Sequence, residues 1–255
     1  MPISLTNVRK AAAMKPPRLL VMGTSGVGKT TLAANAPAPI FIQTEDGLDG
    51  MDVSTFGVLK TFAEVMESLE SLRTEDHDFY TLAVDSLDHL EPLIWAQACK
   101  DNKWQDMQSV PYGRGYAAAV DYWRAFLNAV DALRDEKGMA FVGIAHSQVK
   151  RFEGPEHEPY DRYIPKLHRD ASALVQERMD CVLFANYKTS TTRTDAGFNK
   201  KIVRGIGSGE RVLYTEERPA FIAKQRYNLP PVIGLDWNEL AAGIPYYNQA
   251  QQAAQ

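Results

Sequence analysis

The segment that most constrains the fold of this chain runs Gly23-Thr24-Ser25-Gly26-Val27-Gly28-Lys29-Thr30. It matches the phosphate-binding loop G-x-x-x-x-G-K-[ST] at every fixed position. The apolar run 18–22 precedes it and predicts a short buried strand, while 31–35 predicts the opening of a helix. A strand, a loop and a helix in this order are the context that the motif requires. A glycine-rich turn that arose by chance would explain neither flank.

Each part of this loop has a role in binding a nucleoside triphosphate. The glycines let backbone N–H groups point at the phosphates, and the helix N-terminus adds the positive end of its dipole. We expect Lys29 to reach the β- and γ-phosphates and the Thr30 hydroxyl to coordinate Mg²⁺. The predicted cofactor-binding residues are Gly23, Thr24, Ser25, Gly26, Val27, Gly28, Lys29, Thr30 and Thr31.

Length and charge limit the remaining possibilities. The chain has 255 residues, which suits one α/β domain with elaborated loops. Its net charge is −4, from 28 basic and 32 acidic residues, so nucleic acid would have to bind a local patch or the channel of an oligomer. Cys99 and Cys181 match no metal or redox spacing, and no apolar run approaches a membrane span. We therefore expect a cytoplasmic protein with reduced thiols and no membrane partner.

The pattern along the chain predicts an α/β fold in which strands alternate with helices. We expect a flexible lead-in at 1–16, a core at 17–247 and a disordered tail at 248–255. The alternation predicts a mostly parallel twisted sheet with helices on both faces, and the closely spaced last strands predict an antiparallel C-terminal edge. Strands are predicted at 18–22, 40–43, 79–85, 139–145, 181–187, 211–215 and 220–224, helices at 61–73, 86–99, 115–137 and 169–178, a charged loop at 148–168 and a hairpin tip at 189–209.

Two acids stand at strand ends, where the carboxyl edge of a parallel sheet binds ligands. Asp85 ends an apolar strand and suits an Mg²⁺ ligand of the Walker B type; the alternative is a cap for the following helix. Glu45 follows a strand that we predict directly beside the phosphate loop, and it suits a carboxylate that polarises the attacking water. The alternative for Glu45 is a solvated turn acid, with Asp46 and Asp49 as competitors.

His146 ends the strand predicted at 139–145. A polar side chain there is expected to touch the γ-phosphate and to report its presence to the segment that follows. The alternative is a histidine satisfied by a nearby carbonyl group. No second histidine or acid has metal-ligand spacing with it in the sequence.

Taken together, these motifs resemble the RecA-like branch of the P-loop ATPases. The segment 40–49 resembles the part of bacterial RecA recombinases that contains the catalytic glutamate, and 81–86 resembles their Walker B strand. The segment 142–148 falls where that family has an Asn-Gln sensor pair, and here His146-Ser147 replaces the pair. The resemblance covers about 18–228 and implies ATP and Mg²⁺ as cofactors, with Thr30 and Asp85 at the metal and Glu45, Lys29 and His146 as catalytic residues.

A late segment, 221–228, is similar to the Lys-x-Arg finger of hexameric DnaB-type helicases and related rings. In those rings the pair reaches into the nucleotide site of the neighbouring subunit. Lys224 and Arg226 are two residues apart, and such residues face the same side of a strand. The resemblance therefore implies a catalytic pair supplied in trans and a homo-oligomer with ATP sites at subunit interfaces; the alternative is a strand end with solvated charges.

The resemblance also implies DNA-binding segments after the Walker B region and after the sensor strand, here 100–115 and 148–169. Both contain basic residues interleaved with aromatic ones, as single-stranded DNA sites do. A loop that only covers the nucleotide would look similar. The predicted DNA-binding residues are Lys103, Trp104, Arg114, Lys150, Arg151, Arg162, Lys166 and Arg169.

These features favour an ATPase that acts on single-stranded DNA. A small RecA-like core of this kind is most similar to phage-encoded recombination ATPases of the single-strand annealing type, which implies a cytoplasmic site in the host cell and a single-strand-binding protein as a further partner. One alternative is a nucleotide-gated regulatory or assembly ATPase that acts on a protein partner. The other is a small-molecule kinase, which would need an arginine-rich lid and an acceptor pocket.

Overall fold

A sheet of nine strands forms the centre of the protein, in a computed structural model that describes residues 14–154, 158–195 and 201–248. The strands are β1 (Arg18–Gly23), β2 (Pro39–Gln43), β3 (Ser54–Val58), β4 (Thr81–Asp85), β5 (Ala140–Phe152), β6 (Tyr160–Pro165), β7 (Cys181–Asp195), β8 (Lys201–Tyr214) and β9 (Val232–Gly234). The helices are α1 (Lys29–Ala34), α2 (Phe62–Thr74), α3 (Leu87–Asn102), α4 (Arg114–Glu136), α5 (Arg169–Arg178) and α6 (Trp237–Ala242).

The strand order is β3-β2-β4-β5-β1-β7-β8-β9, with β6 paired to β5 outside this series. Neighbouring strands from β3 to β7 are parallel, and β8 and β9 complete the sheet in antiparallel pairing. The predicted fold class is therefore confirmed: a mostly parallel α/β sheet with an antiparallel C-terminal edge. The apolar runs of β1 and β4 are buried throughout because both faces of a parallel sheet are covered.

Helices cover both faces of the sheet. On one face α2, α3, α4 and α5 pack through a large apolar cluster that includes the fully buried Trp123 and Phe126. On the other face α1 and α6 pack through a second cluster, with Leu32 and Leu240 among its buried members. Among the described helices, none is both long enough and apolar enough to cross a membrane.

The segment 148–168 is an antiparallel hairpin and not the predicted charged loop. Strand β5 continues past the parallel sheet, and its residues from Ser147 to Phe152 pair with β6. The sequence did not indicate this because both faces of the arm are largely solvated, so Lys150 and Arg151 interrupt the apolar alternation that marks a half-buried strand. Residues 155–157, at the end of this hairpin, lie outside the described part.

The C-terminal third also departs from the sequence prediction. The strand predicted at 220–224 is absent, and only isolated bridges join Phe221 to Tyr163 and Lys224 to Val182. The strands β7 and β8 occupy most of the predicted hairpin tip at 189–209, of which 196–200 lie outside the described residues. The short elements β3, β9 and α6 were not predicted. The predicted lead-in and tail fall almost entirely on 1–13 and 249–255, which also lie outside the described residues.

A buried carboxylate joins three elements and the segment around Arg226 at the amino-terminal edge of the sheet. Asp180 precedes β7 and accepts hydrogen bonds from Arg18 at 3.2 Å, Arg134 at 3.3 Å and Arg226 at 3.0 Å. Burial alone would raise the pKa of Asp180, but the bonds from Arg18 outweigh it and lower the pKa below its usual value. This cluster fixes β1, β7 and α4 to each other at the ends of the strands that lie opposite the phosphate loop.

Replacing Asp180 with alanine should therefore destabilise the fold strongly. Removing one partner of a buried ion cluster leaves uncompensated cations and typically costs about 3–5 kcal/mol. Urea unfolding would measure this loss in Asp180→Ala. The matched control is Asp121→Ala, whose carboxylate is 75% exposed in its pair with Arg124 and should contribute less than about 1 kcal/mol. Equal stabilities of the two variants would contradict the structural role of the cluster.

Candidate nucleotide-binding site

The phosphate loop connects the end of β1 to the start of α1, as the sequence predicts. Gly26 and Gly28 have φ angles of 73° and 107°, in the left-handed region that glycine adopts most readily. A Cβ atom on Gly23 would lie 2.3 Å from the carbonyl oxygen of Ala185 on β7, so only glycine fits there. The motif glycines are thus required by the turn and by the close packing of β1 against β7.

Lys29 and Thr30 have the contacts expected of a phosphate and metal site. The Lys29 ammonium is buried and donates to the carbonyl oxygens of Gly23, at 3.2 Å, and Thr24, at 2.9 Å. Burial lowers the pKa of Lys29, and the nearby Asp85 carboxylate opposes this shift. The Thr30 hydroxyl donates to Asp85 Oδ2 at 2.7 Å. The structure therefore brings together the two residues predicted to bind Mg²⁺.

The surrounding cavity has a volume of about 370 Å³ and suits a metal-bound triphosphate. Its lining combines the phosphate loop, a buried ammonium group and the hydroxyl–carboxylate pair of Thr30 and Asp85. Burial raises the pKa of Asp85, although the Thr30 bond opposes this, and a bound cation would favour the ionised carboxylate. Glu45, Asp46 and His146 also line the cavity.

Glu45 reaches this cavity by a route that the sequence did not indicate. The prediction that its strand lies directly beside the phosphate loop is wrong, because β4 and β5 separate β2 from β1. Strand order in such sheets does not follow the order along the chain. The segment after β2 is held over the strand ends by Thr44, whose hydroxyl donates to the Ser86 carbonyl at 2.7 Å and accepts from the Ser86 N–H at 2.9 Å. This bridge places Glu45 near Lys29.

The half-buried His146 forms a pair with a buried acid from α3. Asp88 accepts from the His146 backbone N–H at 2.8 Å and lies 3.0 Å from its ring Nδ1. Burial would raise the pKa of Asp88, but the His146 bonds lower it to about 2. The bond to Asp88 in turn raises the pKa of His146. The partner of His146 is therefore a carboxylate and not the carbonyl group considered as the alternative.

A second histidine, His89, completes this cluster. Its Nδ1 lies 3.2 Å from Glu45 Oε2 and 2.8 Å from the Ser86 hydroxyl, which consequently does not cap α3. One ligand atom each from Glu45, His89 and His146 lie within 4.8 Å of one another, a donor set of the kind that binds Zn²⁺. The sequence interpretation missed this arrangement because the three residues come from the segment after β2, from α3 and from β5.

Comparison with known protein families agrees with this geometry. Residues 15–227 match the family described as an AAA domain. The chain belongs to that family. It is accordingly a nucleotide-binding P-loop ATPase, and ATP with Mg²⁺ is the cofactor pair typical of such domains. A search of curated proteins finds no match. The finer resemblance to phage recombination ATPases stays a prediction.

The structure divides the predicted DNA-binding residues of this AAA domain between separate surfaces. Lys150, Arg151, Arg162 and Arg169 line one groove beside the hairpin. Trp104 and Arg114 line a different cavity, between the end of α3 and the start of α4. Lys103 and Lys166 are exposed and border neither of these cavities. Only the four residues of the first group are brought together.

The two residues of the predicted finger also separate. Lys224 lines the groove beside the hairpin, whereas Arg226 lines a depression near Arg134 and pairs with Asp180. Because 220–224 is not a strand, the argument that the side chains share a strand face is wrong. The sequence interpretation also missed a cation near the loop: Arg211 on β8 borders the nucleotide cavity. Arg211 lies in a segment of mixed composition, so no sequence pattern indicated that it would border the nucleotide cavity.

Glu91 lies one turn after Asp88 on α3, and it joins this region to the hairpin. Its carboxylate oxygens both accept from the backbone N–H of His168 at 3.0 Å. Burial raises the pKa of Glu91 from 4.5 to about 7, although the His168 bond opposes this shift. The folded chain therefore keeps a proton on Glu91 at pH values where the unfolded chain has lost it.

Stability should consequently fall as the pH rises from about 4.5 to about 7. Glu91→Gln, which remains neutral, should match the parent near pH 5 and exceed its stability at pH 8 by up to about 3 kcal/mol. Urea unfolding at the two pH values would measure this difference. Glu67→Gln, at an exposed position on α2, is the control and should follow the parent at both. A Glu91→Gln variant that loses stability equally at pH 5 and pH 8 would contradict a buried, protonated carboxyl group.

Proposed function

We propose that this ATPase acts on single-stranded DNA and that the groove beside the β5–β6 hairpin binds the strand. The observation that supports this most directly is a cavity of about 570 Å³ bordered by five basic residues. They are Lys150, Arg151, Arg162, Arg169 and Lys224. The lining contains one acid among the described residues, Glu177. A local excess of cations of this kind is what a chain with net negative charge needs to bind phosphates.

Arg162 supplies a second observation that favours an anionic ligand in this groove. It is buried, it pairs with Glu217 on one side, and its Nε atom has no hydrogen-bond partner among the described residues. A buried donor without a partner is costly unless a ligand satisfies it. Its guanidinium also lies 5.0 Å from the centre of the Phe152 ring, so a cation and an aromatic face meet at the groove, as in sites that stack bases.

The groove is connected to the nucleotide cavity through β5. His146 borders the nucleotide cavity, and its carbonyl oxygen accepts from the Lys166 N–H at 2.8 Å, at the base of the hairpin. Asp88 and Glu91, one turn apart on α3, hold His146 and His168 respectively. A change at the γ-phosphate that moved His146 would therefore be transmitted to both ends of the hairpin, which supports nucleotide-dependent DNA binding.

We expect this coupling to appear in direct binding measurements. Labelled oligo(dT) should bind more tightly when a non-hydrolysable ATP analogue is present. The logarithm of the binding constant should fall with the logarithm of the salt concentration, with a slope near −0.7 per phosphate contacted. Reversing two charges in the groove, Lys150→Glu with Arg151→Glu, should weaken binding at least about 10-fold and flatten the slope by about 1.4. Fluorescence anisotropy over a salt series would measure both effects.

The control for that experiment is a charge reversal away from the groove, Arg124→Glu on the exposed face of α4. It should leave the affinity and the salt slope unchanged. Binding that ignores both salt and the groove substitutions would instead favour a nucleotide-gated ATPase with a protein partner. That alternative is supported by Val149, which is 57% exposed on the hairpin, a position where a protein surface would pack. No described feature favours the small-molecule kinase.

Within the proposed ATPase cycle, Glu45 is the carboxylate that polarises water. It borders the cavity near Lys29, and His89 at 3.2 Å orients it. Glu45→Gln should retain ATP binding and slow hydrolysis by about 10²–10⁴-fold. Phosphate release and a fluorescent-nucleotide titration would separate the two effects. Asp46→Asn is the matched comparison, since Asp46 lines the same cavity; a larger loss of turnover in that variant would reassign the role.

The proposed assembly is a head-to-tail homo-oligomer with ATP sites at its interfaces. Arg226 lies at the amino-terminal edge of the sheet, at the opposite ends of the strands from the phosphate loop of its own chain. Although it pairs with Asp180, its side chain is 57% exposed, so it is accessible to a neighbouring subunit. A residue so placed reaches a nucleotide only in trans, through a heterologous interface. Because Lys224 lies in the groove, its position fits a contact with DNA better than a contact with the nucleotide of a neighbouring subunit.

A further inference from the structure

Arg211 lies at the edge of the sheet where the phosphate loop begins. Gly23, the last residue of β1, is opposite Ala185 on β7, and Ala185 is opposite Leu213 on β8. Arg211 is opposite Tyr187, two residues further along β7. Because β8 runs antiparallel to β7, Arg211 lies past the last residue of β1, on the side where the phosphate loop begins.

The alternation of β8 determines which face of the sheet Arg211 occupies. Leu213 is fully buried in the apolar cluster that contains Leu32 of α1. Side chains two residues apart share a face of a strand, so Arg211 projects on the same side as α1. A Cβ atom built on Gly28 would lie 3.0 Å from Arg211 Nη1. The guanidinium group therefore lies against the last glycine of the phosphate loop.

The charge around Arg211 leaves its guanidinium available for a ligand. The residue is exposed, and no described acid lies within ion-pair distance of it. The neighbouring Glu210 pairs with Lys188 instead, at 2.9 Å. The nucleotide cavity also contains the carboxylates of Glu45, Asp46 and Asp85, which repel a triphosphate. Further positive charge beside Lys29 would offset this repulsion, and a guanidinium group suits bidentate contact with phosphate oxygens.

We propose that Arg211 binds the phosphate chain of the nucleotide, in cis, from the same chain that supplies the phosphate loop. This inference does not depend on whether ATP turnover serves DNA or a protein partner. The nucleotide cavity would then contain an arginine from its own chain in addition to any arginine that a neighbouring subunit supplies. The contact with Arg211 also gives Gly28 a second reason to be glycine, since a larger residue would push the guanidinium away from the loop.

The test measures nucleotide binding and uses Arg211→Gln, Arg211→Lys and the control Arg124→Gln. A fluorescent ATP analogue reports affinity, and inorganic tripolyphosphate competes with it through phosphate contacts alone. Loss of one charge-assisted contact should weaken both ligands about 10-fold to 100-fold in Arg211→Gln. Arg211→Lys should retain part of the affinity, and Arg124→Gln should match the parent.

Two results would overturn the proposal. One is affinity for ATP and tripolyphosphate within about twofold of the parent in a folded Arg211→Gln variant. The other is weakened ATP binding with unchanged tripolyphosphate competition, which would place Arg211 at the base or ribose. Thermal melting of every variant checks folding. If Arg211→Gln melts below the assay temperature, the same measurements are made on Arg211→Lys. Weaker ATP binding with unchanged competition by tripolyphosphate in that variant would again exclude the phosphate contact.

Discussion

Strand β1 is held between β5 and β7, and this position organises both ends of the sheet. Its register places Gly23 opposite His146 on one side and Ala185 on the other. The phosphate loop, His146 and the start of the antiparallel edge therefore meet at one end of the sheet. Backbone contact at Gly23 is so close that any side chain would collide with β7. The same strand begins at Arg18, where the Asp180 cluster fixes its other end.

The nucleotide cavity concentrates acids that would repel a triphosphate in the absence of cations. Asp85 has a raised pKa because it is buried, whereas Asp88 has a lowered pKa because His146 donates to it twice. The pKa values of two carboxyl groups three residues apart are thus shifted in opposite directions. Lys29 and Arg211 provide the positive charge at the loop, and a bound Mg²⁺ would add to it. Binding of a nucleotide with its metal would therefore favour the ionised form of Asp85.

The path from this cavity to the hairpin runs through short, buried contacts. Residue His146 belongs to both regions, because β5 leaves the parallel sheet immediately after it and enters the hairpin. At the base of the hairpin, helix α3 contacts the residue before its first strand segment, His146, through Asp88 and the residue His168 after β6 through Glu91. A rigid helix that holds both ends of a hairpin is a mechanical connection between a phosphate site and a basic groove. The nucleotide dependence proposed for the groove would act through these contacts.

Local patterns of a few residues were enough to predict the phosphate loop, its flanking strand and helix, the strand end at Asp85 and the overall α/β class. The contacts between residues far apart in the chain became known from the folded structure. It removed the strand predicted at 220–224, turned 148–168 into a hairpin, and placed two strands between β2 and β1 while still bringing Glu45 to the cavity. It also added His89 and Arg211, whose neighbours in sequence give no signal. The physical reason is that strand order and side-chain contacts across a sheet depend on long-range packing, which no local periodicity encodes.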